Sequence, residues 1–78
     1  MNIIVLGTGC AKCKTLEQLT RKVVADLNIN AVVTKEEDIT KIISYGIPRT
    51  PGIVVDGHIV VSGRVPSESE LKQILTKL

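Results

Sequence analysis

A chain of 78 residues with a net charge of +2 is sized for one small domain, which buries only about 60% of the surface its unfolded chain exposes. Ile, Val and Leu together number 27 and supply an aliphatic core, whereas Phe and Trp are absent and Tyr45 is the only aromatic residue. Scattered basic residues and the lack of a base-stacking surface argue against nucleic acid as the partner, and no apolar run reaches the roughly 20 residues of a membrane span.

In chain order, Ile3-Ile4-Val5-Leu6 reads as a buried strand, with β-branched residues and no polar interruption. Gly7 and Gly9 punctuate the loop after it. From about Lys12 to Leu27, the apolar residues Leu16, Leu19, Val23, Val24 and Leu27 recur at helical spacing, and Asn28 ends the helix. Ala31 to Thr34 reads as a second strand. Asp38 is a good N-cap for a short helix carrying Ile39, Ile42 and Ile43, with Gly46 as its stop. Pro48 and Pro51 break the chain. Ile53-Val54-Val55 and Ile59-Val60-Val61 flank Asp56-Gly57, a strong two-residue hairpin signal. Ser67 and Glu70 have the spacing of a capping box, and behind them Leu71, Ile74, Leu75 and Leu78 form the stripe of a last helix. The order is β-α-β-α-β-β-α, and one four-stranded mixed sheet with helices on its faces accounts for every element. The whole chain, 1–78, reads as a single α/β domain.

The chemistry sits at Cys10-Ala11-Lys12-Cys13, which holds the only two cysteines. A disulfide closing so short a loop removes little entropy from the unfolded chain and makes a poor staple. It can nevertheless form, because residues at i and i+3 of a helical turn lie within bridging range. A bond that forms readily but stabilises little is suited to being made and broken. Cys10, beside Gly9 at the start of the helix, is the candidate nucleophile. The helix N-terminus and the charge of Lys12 both favour its thiolate. Cys13, one turn deeper, is the candidate resolving thiol, attacking the mixed disulfide to release substrate. The plainer alternative for Cys10 is an inert buried thiol. The N-terminus has no charged region followed by a long apolar stretch, so no signal peptide is expected and a cytoplasmic location is the default. In that reducing compartment a cysteine pair reads as catalytic or metal-binding.

Cys10-x-x-Cys13 at a strand–helix junction, Gly7-Thr8-Gly9-Cys10 and the run Thr50-Pro51-Gly52-Ile53-Val54-Val55-Asp56-Gly57 together resemble the thioredoxin-like superfamily, in particular its small glutaredoxin-like redox-active disulfide members. The likeness covers nearly the whole chain. It implies a three-layer thioredoxin-like sandwich and a thiol–disulfide oxidoreductase that exchanges with protein disulfides and is regenerated by a reductase, with no cofactor or bound metal. It also implies that Thr50-Pro51 is cis, with Pro51 packed across the cysteine pair where a metal's third ligand would sit, and that the backbone of Thr50 pairs with substrate. Without the resemblance, Pro51 is an ordinary turn proline. Gly63, after the returning strand, is expected to line the substrate groove. A monomer is expected. Lys14, Arg49 and Arg64 make that end basic, which suits acidic partners but equally describes solvated surface charge. His58 lies about 10 Å away, beyond three strand residues at roughly 3.3 Å each, and is expected to stand idle at the hairpin tip.

Three departures from the pattern matter. Gly9 stands before Cys10 where the larger thioredoxins carry an aromatic residue. The all-aliphatic first strand offers no buried carboxylate, which leaves proton transfer at Cys13 without an assigned group. Ser62-Gly63-Arg64 lacks the pattern of glutathione-using glutaredoxins. The second reading is a soft-metal carrier, since two thiolates can bind Cu(I) or Zn(II). Ferredoxin-like metal carriers also place CxxC between a first strand and helix, but in the order β-α-β-β-α-β. A third reading is a binding adaptor whose cysteines are incidental.

Overall fold

The computed structural model describes residues 1–77. Its elements are β1 (Asn2–Leu6), α1 (Ala11–Asp26), β2 (Val32–Glu36), α2 (Ile39–Ser44), β3 (Gly52–Val55), β4 (His58–Ser62) and α3 (Glu68–Thr76). The strands form one sheet in the order β2-β1-β3-β4, with β1 parallel to β2 and the other two pairings antiparallel. α1 and α3 cover one face and α2 the other, so the three-layer arrangement expected from the element order is the one found.

Side-chain alternation along β1 builds this architecture, because successive strand residues point to opposite faces. Ile3 and Val5 join Leu16 and Val23 of α1, Leu71 and Leu75 of α3, and Ile53, Val55 and Val61 in the larger core. Leu6, with Ile4 packed beside it, meets Ile42, Ile47 and Val54 in a smaller core beneath α2. β3 is buried throughout, as a continuous apolar run in a central strand requires. Asp56 (φ 48°) and Gly57 (φ 86°) carry the positive φ angles of a type I′ hairpin, and the Asp56 carboxylate accepts the Asn2 N–H at 2.8 Å.

Two details differ from the sequence reading, and a third falls outside what the structure describes. β2 runs over Val32–Glu36 rather than Ala31–Thr34, because its length is set by the ladder to β1: Asn2 pairs with Val32 and Leu6 with Glu36. Lys35 and Glu36 look unlike strand residues in isolation, but β2 is an edge strand, where charged side chains are at home. The Ser67–Glu70 capping box is half formed. Ser67 Oγ accepts the Glu70 N–H at 3.1 Å, but the Glu70 carboxylate pairs with Arg64 instead of turning back to the cap. Leu78, assigned to the α3 stripe, lies outside the described residues. Among those residues no helix is long and apolar enough to cross a membrane.

Candidate active site

β1 ends at Leu6, and the chain turns through Gly7-Thr8-Gly9 into α1. Gly9 adopts φ +87°, a left-handed conformation that favours glycine. The turn leaves Cys10 exposed as the N-cap of α1, where its Sγ accepts the Cys13 N–H at 3.2 Å. Cys13, at the third position of the helix, faces the core and is 5% exposed. The two sulfurs are joined as a disulfide with Cα atoms 5.0 Å apart, within the ordinary range for such a bond. One sulfur is therefore presented to solvent and the other is enclosed.

Gly7, read from the sequence as loop punctuation and as part of the run that carries the resemblance, lies in contact with the cysteine pair. A Cβ placed on it would lie 2.6 Å from both Cβ and Sγ of Cys13. The Cys13 sulfur packs directly on the Gly7 backbone, and no side chain fits between them. The signal in the sequence is a glycine immediately after a buried strand, a few residues before a cysteine pair, where close backbone approach is a standard reason for glycine.

The pairing of Leu6 with Gly52 brings Pro51 to the Gly7 end of the sheet. The Thr50–Pro51 peptide bond is cis. The Pro51 carbonyl accepts the Gly63 N–H at 2.8 Å, which ties the end of β4 to the proline loop. Gly63 has φ +73°, and a Cβ there would meet Arg49 Cβ at 3.1 Å, so the aliphatic stem of Arg49 lies across it. Thr50 is half-buried, and its main chain makes no hydrogen bond among the described residues. Cys10, Cys13, Thr50, Pro51 and Gly63 thus gather at one end of the sheet. His58 starts β4 opposite Val55, at the other end, and is exposed.

Of the cations expected to colour this end, Arg64 is already engaged. It binds the Glu70 carboxylate through both terminal nitrogens, one at 2.8 Å, which raises its own pKa and holds the Glu70 carboxyl below its ordinary value. Lys12, Lys14 and Arg49 have no ion-pair partner among the described residues. Lys12 is exposed on the first turn of α1. Lys14 borders a cavity of about 50 Å³ beside Cys13, whose wall also includes Glu17, Lys35 and Glu37. That volume admits water, which needs roughly 10–15 Å³ per molecule in the same measure. Glu17 and Glu37 share the lining of this cavity with Cys13, carboxylates that the sequence alone did not bring to the site. Among the described residues no group of three or more His, Cys, Asp or Glu side chains gathers as a metal site.

An exposed and a buried sulfur at a strand–helix junction, with the proline loop at the same end of a four-stranded mixed sheet, define a thiol–disulfide oxidoreductase of thioredoxin-like architecture. A family model described as Thioredoxin domain matches residues 1–76. A protein named Thioredoxin from Methanothermobacter thermautotrophicus is 41% identical over 76 residues, covering 97% of this chain and 99% of that one. A protein of the same name from Methanocaldococcus jannaschii is 37% identical over 73 residues, covering 94% of this chain and 84% of the other. The chain belongs to the thioredoxin-domain family. The observed order of elements is also not the β-α-β-β-α-β of ferredoxin-like metal carriers, and the soft-metal reading gains nothing over the redox one.

Proposed function

We propose that Cys10 is the attacking thiol and Cys13 the resolving thiol of a dithiol that reduces disulfides in partner proteins. The Cys10 thiolate attacks one sulfur of the substrate disulfide, forms a mixed disulfide and expels the other substrate sulfur as a thiolate. The Cys13 thiolate then attacks Cys10 Sγ, closes the Cys10–Cys13 disulfide and expels the second substrate thiolate. Two electrons pass to the substrate, and water or a nearby acid protonates the leaving thiolates. A reductase must return two electrons to the pair. The observation that carries the assignment is the asymmetry of the sulfurs. Cys10 is exposed at a helix N-terminus with an N–H directed at its Sγ, whereas Cys13 is enclosed against Gly7. Hydrogen bonding and the helix terminus favour a thiolate at Cys10, and Lys12 adds positive charge on the same turn.

In this reading Thr50 offers its unpaired main chain to the substrate, Pro51 covers the cysteine pair, and Gly63, tied to the Pro51 carbonyl and leaving room for the Arg49 stem, lines the neighbouring edge. Residues 1–78 act as one thioredoxin-like domain, monomeric and cytoplasmic, with no cofactor. The test is alkylation of the reduced protein with limiting iodoacetamide at mildly acidic pH, followed by peptide mapping. Label is expected on Cys10 first, and preferential labelling of Cys13 would reverse the roles.

A further inference from the structure

Three acidic residues follow one another where β2 ends, and each is put to a different use. Glu36 accepts the Asp38 N–H at 3.2 Å and lies 4.0 Å from Lys41. Asp38 caps α2, where it accepts the Thr40 N–H at 2.9 Å. Glu37 reaches the exchange loop. Its Oε1 lies 3.2 Å from Lys35 Nζ, and its Oε2 rests against Gly9, 3.2 Å from where a Cβ would stand. Gly9 immediately precedes Cys10, and Glu37 also shares the lining of the cavity beside Cys13.

The other charges at this end come from α1 and from the loops around β3 and β4. α1 brings Lys12 and Lys14, without ion-pair partners among the described residues, and Glu17, which is held by Arg21 at 3.1 Å. The proline loop brings Arg49, also without such a partner, and Arg64 is held by Glu70. The free cations and the helix N-terminus favour a thiolate at Cys10. Glu37 opposes them from the loop that precedes it. A Cys10–Cys13 disulfide carries no charge, so the carboxylate has nothing to repel in the oxidised protein. Reduction by an external dithiol passes two electrons into that bond and turns the dithiol into a disulfide. It leaves Cys13 as a thiol with one proton and Cys10 as a thiolate, and it releases the other proton to solvent. A carboxylate near the new negative charge disfavours it.

We propose that Glu37, held over Gly9 by Lys35, sets the redox poise of the cysteine pair by opposing the thiolate at Cys10, while Lys35 limits how strongly it does so. The inference rests on the assignment of Cys10 as the attacking thiol and adds the group that keeps the reduced protein a strong electron donor. Stabilising the reduced form of such a pair makes it a stronger oxidant, so an opposing carboxylate acts in the direction that a disulfide-reducing protein needs. Glu37 works through Cys10 and touches no substrate. The Lys35 and Glu37 side chains are 56% and 52% exposed, which screens the effect and lets both positions accept substitution.

The test equilibrates each protein with mixtures of reduced and oxidised dithiothreitol at neutral pH, quenches with acid and counts free thiols by alkylation and mass spectrometry. Glu37→Gln is expected to raise the equilibrium constant for the reduced form about fivefold over wild type, which is about 20 mV toward the oxidising side for a two-electron couple. Glu37→Lys is expected to raise it further. Lys35→Gln, which leaves the carboxylate unopposed, is expected to lower it. The thiolate absorbance of the reduced proteins, followed against pH, is expected to place the variants in the same order, with the differences shrinking as salt rises. Shifts of one sign in Glu37→Gln and Lys35→Gln, or wild-type equilibrium constants in both Glu37 variants, overturn the assignment and leave the thiol roles standing. Shifted equilibria with an unchanged thiolate titration would put the effect elsewhere than Cys10 and also overturn it. A wild type without a two-electron midpoint would remove the exchange reading itself.

Discussion

Against one face of the sheet, α1 and α3 bury Leu16, Val23, Leu71 and Leu75 over five strand residues. Against the other, the six-residue α2 seats Ile42 over Leu6 and Val54 and leaves Ile39 and Ile43 in solvent. The same sheet thus has a closed side and an open side. The closed side holds the apolar contacts that a 78-residue chain needs to fold. The open side lies beside the exchange loops, where a partner must be able to approach. Small size does not force every apolar residue inward, and on the open side Ile39 and Ile43 stay in solvent beside the proline loop.

If the closed side carries the stability, Leu16→Ala should cost more than any substitution on the open side, at about 2–5 kcal/mol in denaturant unfolding, because it leaves a cavity between α1 and the sheet. Ile42→Ala removes a comparable side chain beneath a short helix that can settle inward, and it should fall at the low end of that range, about 2 kcal/mol. Equal losses at the two positions would break the comparison. Gly7→Ala should come next. The added methyl must displace Cys13 or the backbone, at about 1–3 kcal/mol for overpacking. It should also slow release of a mixed disulfide more than its formation, since Cys10 is not the sulfur being pushed; stopped-flow exchange kinetics separate the two steps.

Caps allow a finer comparison. Asp38→Ala and Ser67→Ala each remove an N-cap hydrogen bond worth about 1 kcal/mol. On the closed side the loss should appear as lower global stability. On the open side it should appear mainly as faster amide exchange within Ile39–Ser44, since little else holds α2 in place. The smallest effect is electrostatic. Hydrogen bonds from Arg64 hold the Glu70 carboxyl below its ordinary value. A lowered carboxyl pKa stabilises the fold fully above its unfolded value, and the contribution disappears as pH falls through the folded value. Arg64→Gln should return the Glu70 titration, followed by side-chain NMR, toward the ordinary carboxyl value, with little change in stability at neutral pH because both groups are exposed.

The elements were legible in the sequence wherever apolar periodicity coincided with strong punctuation. Asp56-Gly57 marked the hairpin, Asp38 and Gly46 bracketed α2, and the run after Cys13 marked α1. β2 slipped because an edge strand borrows its boundaries from the neighbour it pairs with, and no local pattern carries that information. The capping box was half right because a carboxylate goes to its strongest partner, and its pairing with Arg64 is visible only in three dimensions. At the site, the cysteine pair and the proline stood out by residue type. Gly7 did not, since its role depends on a sulfur from the next turn of chain packing against it. The open face of α2 was equally hidden: Ile39, Ile42 and Ile43 read as one apolar face, and only the placement of α2 on the sheet divides them into one buried and two exposed.

The most direct test of the exchange mechanism is to trap its intermediate. Reduced Cys13→Ser and Cys10→Ser are each mixed with an excess of a peptide disulfide, quenched with acid and weighed by intact-mass spectrometry. Cys13→Ser is expected to accumulate one peptide, attached at Cys10, within the time wild type takes to turn over, and Cys10→Ser is expected to remain unmodified on that scale. Capture by Cys10→Ser at a rate matching Cys13→Ser would contradict the division between an exposed attacking sulfur and an enclosed resolving one.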